Sequence, residues 1–284
     1  MHVQSQSGDH RSGQGQGCNQ VTHRDFDAIR ASGASYHEPM DPRYIDAHRV
    51  AFFGGSFDPP HLGHLGVARA ARTALGLDTV LFVPVGAQPL KPQGSTASFE
   101  DRLAMTRLAI AGEPGFAVSL ADAPKSSGAP NYTLETLLAL RAELPSGSAL
   151  FCLMGADAFA TFRHWHRAAE IPFVASLIVA SRPGQRLDGL MAALPDGLAV
   201  DSLPLSEQPA EEIEMRRYIL RNPAGEQAPL YLLPGLEIEI SASEIRKQIQ
   251  ILEQARASTG APSPERALLP VPVSEYIRAH GLYR

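Results

Sequence analysis

Two glycines and two histidines lie close together in the sequence, in a pattern suited to binding phosphate. Gly54 and Gly55 follow a short apolar run, and His61 and His64 come where a segment with helical spacing begins. A strand, a glycine turn and a helix amino terminus direct unpaired backbone N–H groups at one ligand, and glycines let the backbone approach a polyphosphate closely. Histidines three residues apart project to one side of a helical turn, where each imidazole can donate a hydrogen bond to a phosphoryl oxygen. The segment therefore predicts a site for a phosphate-bearing ligand.

Other kinds of site that use these residue types have less support. The two histidines could be half of a metal site, but no third ligand of a suitable type lies near them in the sequence. The chain contains no Gly-Lys dipeptide, which excludes a Walker A loop, and the turn lacks the three glycines of the dinucleotide fingerprint. The whole string 54–64, between a strand and a helix, is more specific than any of its parts.

The elements that must position these residues follow from the hydrophobic pattern after residue 48. Short apolar runs alternate with longer segments in which apolar residues recur at three and four, which predicts strands joined by crossover helices. We therefore expect the α/β class, with a doubly wound, Rossmann-like parallel sheet, helices on both faces, and the ligand beyond the carboxyl ends of the strands. The predicted strands are 50–53, 79–84, 116–121, 149–154, 173–180 and 229–234, and the predicted helices are 62–76, 99–112, 133–144 and 156–169.

The domain prediction is one nucleotide-binding domain at 49–284. The segment 1–48 is rich in Ser, Gly, Gln, Asp and His and has no periodicity, so we expect a disordered tail. Met40, just before the first strand, is a hypothetical native start, which the intact mass of the natural protein tests. Residues 185–228 interrupt the strand and helix pattern and predict an insertion, with one candidate helix at 211–220.

Composition excludes several broad classes of protein. The formal charge of −5 over 284 residues argues against a protein held on nucleic acid by a general basic field. The two cysteines, Cys18 and Cys152, match no zinc or redox spacing, which favours a reducing compartment. The longest apolar run, at 171–180, is shorter than the roughly 18 to 20 residues of a membrane-spanning helix. We therefore expect a cytoplasmic protein without nucleic-acid or membrane partners.

The chemical motifs resemble those of a known superfamily. Gly54-Gly55-Ser56-Phe57-Asp58-Pro59 followed by His61-x-Gly63-His64 is similar to the signature of the nucleotidylyltransferases, and 240–246 is similar to their Ile-Ser-Ser-Thr-x-Ile-Arg segment. Further segments narrow the resemblance to the bacterial nicotinate-nucleotide adenylyltransferase family over residues 49–284. These segments are Phe82-Val83-Pro84, Arg102 with Met105, Tyr132-Thr133-x-Glu135-Thr136, Gly155-Ala156-Asp157, Trp165-His166-Arg167, Arg182-Pro183-Gly184 and Val273-x-x-Tyr276-Ile277.

The resemblance implies roles on the ATP side of the site. His61, His64 and Arg246 would be catalytic, holding the phosphates and stabilising the charge that grows during displacement. Ser241 and Ser243 would help to bind the phosphates, although each is also a candidate N-cap of the helix that carries Arg246. The remaining residues that it assigns to ATP binding are Gly54, Gly55, Ser56 and Phe57, mainly through their backbone, and Asp157, whose alternative role is an N-cap.

The resemblance also implies an acceptor side. Trp165 would stack on a pyridine ring, although a single tryptophan is also typical of a core. Tyr132 and Thr133 would help to recognise a carboxylate. Lys91 would contact phosphate, although by itself it reads as a surface residue, and Gln88-Pro89-Leu90-Lys91 lacks the His of the family's Pro-Pro-His-Lys segment.

The implied activity is the transfer of AMP from ATP to nicotinate mononucleotide, giving deamido-NAD and pyrophosphate in NAD biosynthesis. Mg²⁺ is implied as the cofactor, bound mainly through the ATP phosphates with no protein ligands assigned. Two alternatives stay open: another nucleotidylyltransferase, such as a pantetheine-phosphate adenylyltransferase or a cytidylyltransferase, and a catalytically inactive nucleotide-binding regulatory protein. The sequence does not decide whether the protein forms a homo-oligomer.

Overall fold

A computed structural model describes residues 47–90, 93–181, 192–201, 215–233, 241–259 and 268–284, with side chains in the fifth range as far as residue 252. All of these residues belong to one unit, Tyr36–Arg284. The strands within them are β1 (Arg49–Gly55), β2 (Thr79–Pro84), β3 (Phe116–Val118), β4 (Ala149–Gly155), β5 (Ser176–Ala180), β6 (Ala199–Asp201), β7 (Arg216–Arg221) and β8 (Gln227–Leu233). The helices are α1 (Leu62–Leu75), α2 (Phe99–Ile110), α3 (Thr133–Glu143), α4 (Ala156–Ala160), α5 (Ile171–Val174), α6 (Ala242–Thr259) and α7 (Val271–His280).

The described strands form one sheet in the order β3-β2-β1-β4-β5-β8-β7-β6. The first six strands in this order are parallel to one another, and β7 and β6 continue the sheet as antiparallel strands. The order of the parallel strands is that of a Rossmann fold, in which a ligand binds where the strand order reverses, between β1 and β4. The predicted α/β class and the predicted six parallel strands are confirmed.

Both faces of the sheet are covered, as the apolar runs predict. In β1, Val50 and Phe52 pack in the cluster that contains α3, α4 and α5, whereas Ala51 and Phe53 pack in the cluster that contains α1, α2, α6 and α7. All four residues are buried. Alternate residues of one strand thus serve two cores, which explains why these strands read as continuous apolar runs instead of alternating ones. None of the helices in the described ranges combines the length and apolar character needed to cross a bilayer.

The strand predictions need two corrections. The predicted strand at 173–180 begins only at Ser176, because Ile171–Val174 forms the short helix α5. The predicted strand at 116–121 ends at Val118. In both cases the apolar run is longer than the strand, and the residues 173, 174, 119 and 120 outside it are only partly buried.

The helix prediction at 156–169 is wrong in extent. Helix α4 ends at Ala160, and single 3-10 turns follow at Phe162–His164 and Ala168–Glu170. Arg167 lies in the left-handed region with φ of 51°, which ends any regular helix there. Between β4 and β5 the chain thus forms several short helical turns instead of one helix, and Trp165 lies in this segment.

The candidate helix at 211–220 is also wrong where the structure describes it. Residues 216–221 form β7, in which Tyr218, Ile219 and Leu220 are buried, and β7 pairs with β8 across the turn that Gly225 completes. An Asn-Pro-Ala-Gly turn between two apolar segments indicates a hairpin, and it was the signal for strands here. Residues 185–191 and 202–214 of the predicted insertion, and residues 1–46 of the predicted tail, lie outside the described residues.

Candidate active site

The end of β1 brings the backbone close to aromatic rings in a way that requires glycine. A Cβ atom on Gly54 would lie 2.5 Å from the ring of Phe52, and one on Gly55 would lie 3.2 Å from the ring of Phe57. Phe52 is buried, so its ring has little room to move. The two glycines therefore end the strand with a bare backbone at the point where the sheet order reverses.

Phe57 anchors the turn that follows. Its backbone is left-handed, with φ of 48°, and its ring is 2% exposed. The ring packs against those of Phe53, Phe82 and His64, with centroid distances of 5.7, 5.6 and 5.0 Å. A left-handed non-glycine residue costs free energy, which this burial offsets. The side chain of Phe57 thus serves the core, and only its backbone is available to a ligand.

His61 and His64 lie together at the amino terminus of α1. Their rings stack with centroids 3.7 Å apart, and the backbone N–H of His61 donates to His64 Nδ1 over 3.2 Å. Since that nitrogen is an acceptor, the neutral ring of His64 carries its hydrogen on Nε2. The helix begins here, and among its first N–H groups that of Leu62 donates to the carbonyl of Leu268 over 3.0 Å and that of His64 to the carbonyl of His61 over 2.9 Å. The structure therefore brings the two predicted histidines together at the start of α1.

The electrostatic setting keeps both imidazoles neutral at pH 7. Burial lowers the pKa of His61 to about 4. Burial, followed by the charge of His61, lowers the pKa of His64 well below its usual range. Both rings are thus neutral N–H donors before an anion binds. Bound phosphate would raise both pKa values, since an opposite charge favours the protonated form.

Asp58 ties this loop to two other parts of the chain, a role that sequence reasoning missed. The residue is 4% exposed. Its Oδ2 accepts the backbone N–H of Thr96 over 2.6 Å, and its Oδ1 accepts the N–H of Ala97 over 3.1 Å and the hydroxyl of Tyr283 over 2.7 Å. An acidic residue inside a glycine and proline loop was the only local signal. Tyr283 gave none, because it is 225 positions away in the sequence.

Arg246 reaches the same loop from α6. Its Nη1 donates to the backbone carbonyl of Asp58 over 2.6 Å, and its Nη2 donates to the hydroxyl of Ser243 over 3.3 Å. Asp58 is three residues before His61, so at most about 11 Å of backbone separates them. Helix α6 starts after Ser241, whose hydroxyl accepts the N–H of Glu244 over 3.1 Å. Ser241 is therefore the N-cap, whereas Ser243 is an exposed partner of Arg246.

Arg102 hydrogen-bonds to the backbone of the loop after β1 and of the segment after β2. Its side chain is 2% exposed, and it donates to the carbonyls of Ser56 over 2.7 Å and Val85 over 2.9 Å. The Ser56 hydroxyl donates to Gln88 Oε1 over 3.2 Å, which joins the loop to the segment after β2. Lys91, predicted in that segment, lies outside the described residues.

The predicted acceptor residues form a second group at the same edge of the sheet. Tyr132 is the N-cap residue of α3, and Thr133 is its first residue. The Tyr132 ring lies 4.3 Å from that of His166, which is next to Trp165. Trp165 is partly buried, packs edge-on against Phe162 and donates from Nε1 to Thr161 over 3.2 Å. The structure thus brings Tyr132, Thr133 and Trp165 into one region, although they come from different loops.

Asp157 lies at the end of β4, in the first turn of α4. The N-cap of that helix is Gly155, so the alternative interpretation of Asp157 as the N-cap is wrong. Its side chain is exposed at the carboxyl edge of the sheet, beside the strand that precedes the histidines. This position is compatible with a contact to bound nucleotide.

Asp122 is a buried carboxylate that sequence reasoning also missed. It accepts a hydrogen bond from the Thr136 hydroxyl, and burial raises its pKa to about 6. Next to it, Asn131 accepts the N–H of Ala87 over 3.1 Å and donates to the carbonyl of Ala123 over 3.2 Å. These contacts join the loops after β2 and β3 to α3, below Tyr132. They position the second group of residues.

The described residues contain no group of three or more His, Cys, Asp or Glu side chains placed to hold a metal ion. This part of the chain therefore does not fit a protein cage for Mg²⁺.

Comparison with known proteins gives consistent matches over the described fold. The cytidylyltransferase-like family model matches residues 52–248. A protein of Gloeobacter violaceus named as a probable nicotinate-nucleotide adenylyltransferase is 37% identical over 237 residues, which cover 83% of this chain and 96% of that protein. One of the same name from Trichlorobacter lovleyi is 33% identical over 236 residues, covering 83% and 99%.

A solved structure shares the fold. The nicotinic acid mononucleotide adenylyltransferase of Plasmodium falciparum, complexed with NaAD, matches with a TM-score of 0.55 at 15% identity, covering 83% of this chain and 97% of that one. At this identity the likeness concerns the fold alone. The family match extends from within β1 to α6, so it contains both histidines and Arg246.

Proposed function

The chain belongs to the cytidylyltransferase-like family, within its nicotinate-nucleotide adenylyltransferases, and on this premise we propose that it transfers AMP from ATP to nicotinate mononucleotide. The products are deamido-NAD and pyrophosphate, a step of NAD biosynthesis. The observation that supports this most is the convergence of three side chains on one loop. His61 and His64 stack at the start of α1, and Arg246 contacts the carbonyl of Asp58 in the turn before them.

The reaction is a displacement at phosphorus. An oxygen of the acceptor's 5′-phosphate attacks the α-phosphorus of ATP, the bond to the oxygen that bridges to the β-phosphorus breaks, and pyrophosphate leaves with that electron pair. The attacking phosphate is largely a dianion near neutral pH, since its second pKa is about 6, so no general base is needed. The enzyme's contribution is alignment of the two phosphates and stabilisation of the charge that grows on the leaving group.

His61, His64 and Arg246 supply that stabilisation in our proposal. Both imidazoles start as neutral donors because burial lowers their pKa values, and His64 offers its Nε2 hydrogen. Arg246 adds a permanent charge at the β- and γ-phosphates, with Ser243 next to it. The nucleotide is lined by Gly54, Gly55 and the backbone of Ser56 and Phe57. The Asp157 carboxylate accepts a hydrogen bond from a ribose hydroxyl.

The second group of residues holds the acceptor. The Trp165 ring stacks on the pyridine ring, and Tyr132 and Thr133 contribute donors to its carboxylate. The tilted contact of Tyr132 with His166 and the edge-on packing of Trp165 against Phe162 support this role, because both hold the aromatic rings in place. We also assign Lys91 to the acceptor side, on the resemblance alone.

The proposal includes a divalent ion and a compartment. Mg²⁺ keeps several waters and binds chiefly through substrate phosphates, so it would arrive with ATP. We propose the cytoplasm as the location, from the cysteine usage of the sequence.

Pyrophosphate release measured in parallel with three acceptors tests this function. The protein is given ATP and Mg²⁺ with nicotinate mononucleotide, nicotinamide mononucleotide or phosphopantetheine. We expect the highest kcat/KM with nicotinate mononucleotide. The highest value with phosphopantetheine would identify another nucleotidylyltransferase, and no release with any acceptor, despite ATP binding, would identify a nucleotide-binding protein without catalysis.

A further inference from the structure

The Asp58 carboxylate lies where it can compete with a ligand for Arg246. Its Oδ2 is 3.8 Å from Arg246 Nη1, a nitrogen that already donates to the carbonyl of Asp58 over 2.6 Å. The side chain of Asp58 is 5% exposed and that of Arg246 is 26% exposed. A buried carboxylate short of donors attracts a nearby guanidinium strongly, since burial leaves it without water.

Three hydrogen-bond donors reach the Asp58 carboxylate, and one of them comes from a side chain. Backbone N–H groups of Thr96 and Ala97 supply one donor to each oxygen, and the Tyr283 hydroxyl supplies a second donor to Oδ1 over 2.7 Å. Tyr283 is itself buried. Its hydroxyl is the side-chain donor that lets the carboxylate remain satisfied without a direct hydrogen bond from Arg246.

We propose that Tyr283 is a positioning residue for Arg246: by donating to Asp58, it keeps the guanidinium available to the ATP phosphates instead of the Asp58 carboxylate. The proposal rests on the proposed function in one respect, that Arg246 contacts ATP. Arg246 uses one N–H on Asp58 and one on Ser243, and a guanidinium has five, so further donors remain for an incoming anion.

Tyr283→Phe tests this directly, because it keeps the ring and removes only the hydroxyl. The Asp58 carboxylate then keeps one donor on each oxygen, and Arg246, whose Nη1 is 3.8 Å from Oδ2, moves onto the carboxylate. We expect kcat/KM for ATP to fall about tenfold, in the range of one hydrogen bond to a charged group. The KM for nicotinate mononucleotide should stay within twofold. A value of kcat/KM for ATP equal to that of the wild type would overturn the proposal.

Tyr276→Phe is the matched control. The Tyr276 hydroxyl donates to Asp101 over 3.0 Å, so the variant also removes a tyrosine-to-aspartate hydrogen bond near the end of the chain. Asp101 lies in α2 and has no contact with Arg246 among the described residues. We expect this variant to stay within twofold of the wild type for both substrates.

A double-mutant cycle separates positioning from a general structural role. In an Arg246→Ala background, Tyr283→Phe should lower kcat/KM by less than twofold, because the residue through which it acts is absent. A full tenfold loss in that background would show that Tyr283 supports the fold independently of Arg246, and would overturn the proposal.

Two further measurements keep the test decisive. Calorimetric binding of ATP alone should weaken about tenfold in Tyr283→Phe, and this holds even if the wild type uses an acceptor other than nicotinate mononucleotide. Should Tyr283→Phe fail to fold, a crystal structure of the wild type with ATP decides. The proposal requires Tyr283 on Asp58 Oδ1 with Arg246 on the phosphates, and Arg246 hydrogen-bonded to the Asp58 carboxylate would contradict it.

Discussion

His61 and His64 combine two properties: their rings stack with centroids 3.7 Å apart, and burial lowers the pKa of both. Stacked rings tolerate each other only while at most one carries a charge, because two imidazolium ions at this separation repel strongly. An arriving polyphosphate reverses the preference and makes a protonated ring favourable. The protonation of the two rings can therefore change with the charge of the ligand. This suits a reaction that moves negative charge onto a leaving group.

Replacement of His64 tests its role in turnover. We expect His64→Ala to lower kcat by about two orders of magnitude or more, as for loss of a main transition-state donor. His280→Ala, which removes an exposed histidine from α7, is the control and should leave kcat unchanged. Steady-state kinetics with saturating ATP and acceptor measure both, and a loss below threefold in His64→Ala would remove this residue from the catalytic group.

The lowered pKa of His61 makes stability depend on pH in a defined direction. Its folded value of about 4 lies below the ordinary value of 6.5, so the unfolded chain takes up the proton first as the pH falls. Stability that is full above pH 6.5 is then lost between pH 6.5 and 4, by about 2 kcal/mol between pH 7.5 and 5. Urea unfolding at these two pH values should show a smaller loss in His61→Asn than in the wild type. An equal loss in both proteins would mean that His61 titrates normally.

At the scale of the elements, the loop after β3 and the end of β1 each depend on one residue. Asp122 joins the loop after β3 to α3 through Thr136. Gly54 ends β1 against the ring of Phe52. Asp122 is not a predicted ligand contact, and Gly54 is one only through its backbone, so replacing either side chain should change stability through the element that it holds.

Asp122→Asn should stabilise the protein more at high pH than at low pH. The folded pKa of about 6 lies above the ordinary 3.8, so the folded state carries a costly buried charge at pH 8, and this cost disappears as the carboxyl protonates. We expect the change in unfolding free energy caused by the mutation to be about 1 to 2 kcal/mol more favourable at pH 8 than at pH 5. Urea unfolding of both proteins measures it, and a change independent of pH would show that Asp122 is not desolvated.

Gly54→Ala should destabilise the protein, because its Cβ would lie 2.5 Å from the buried Phe52 ring. Overpacking of this kind costs about 1 to 3 kcal/mol. The matched control is Gly155→Ala at the end of β4, where no atom would lie within 4 Å of the added Cβ. Thermal unfolding compares the two variants. Equal melting temperatures would indicate that the Phe52 ring moves aside without cost.

At the scale of the whole molecule, what could be predicted followed from local pattern. The six parallel strands and the helices α1, α2 and α3 came from apolar periodicity within each segment, and the histidine pair from its place between a strand and a helix. Strand β7 was missed because its residues also suit a helix, and its pairing with β8 depends on a turn and a partner strand. Helix α4 ends at Ala160, and the left-handed backbone of Arg167 interrupts the rest of the segment that was predicted as helix.

The contacts that hold the site residues in place could not be predicted from the sequence, for a related reason. Thr96 and Tyr283 both donate hydrogen bonds to Asp58. The Tyr283 hydroxyl comes from 225 positions further along the chain, and no local sequence pattern indicates such a contact. Arg246 was placed only by a resemblance in its short motif, and its hydrogen bond to Asp58 spans 188 positions. Residues that contact ligands thus lie in recognisable segments, whereas the residues that orient them are determined by the tertiary fold.

The most direct test of the account is the fate of each phosphate of ATP. The protein is incubated with nicotinate mononucleotide and with ATP that carries labelled phosphorus at either the α or the γ position. We predict that the α label appears in the dinucleotide and the γ label in pyrophosphate. A γ label on the acceptor with release of ADP, or an α label found only in free AMP, would contradict the claim that this site cuts ATP between its first and second phosphorus atoms and transfers the nucleotide.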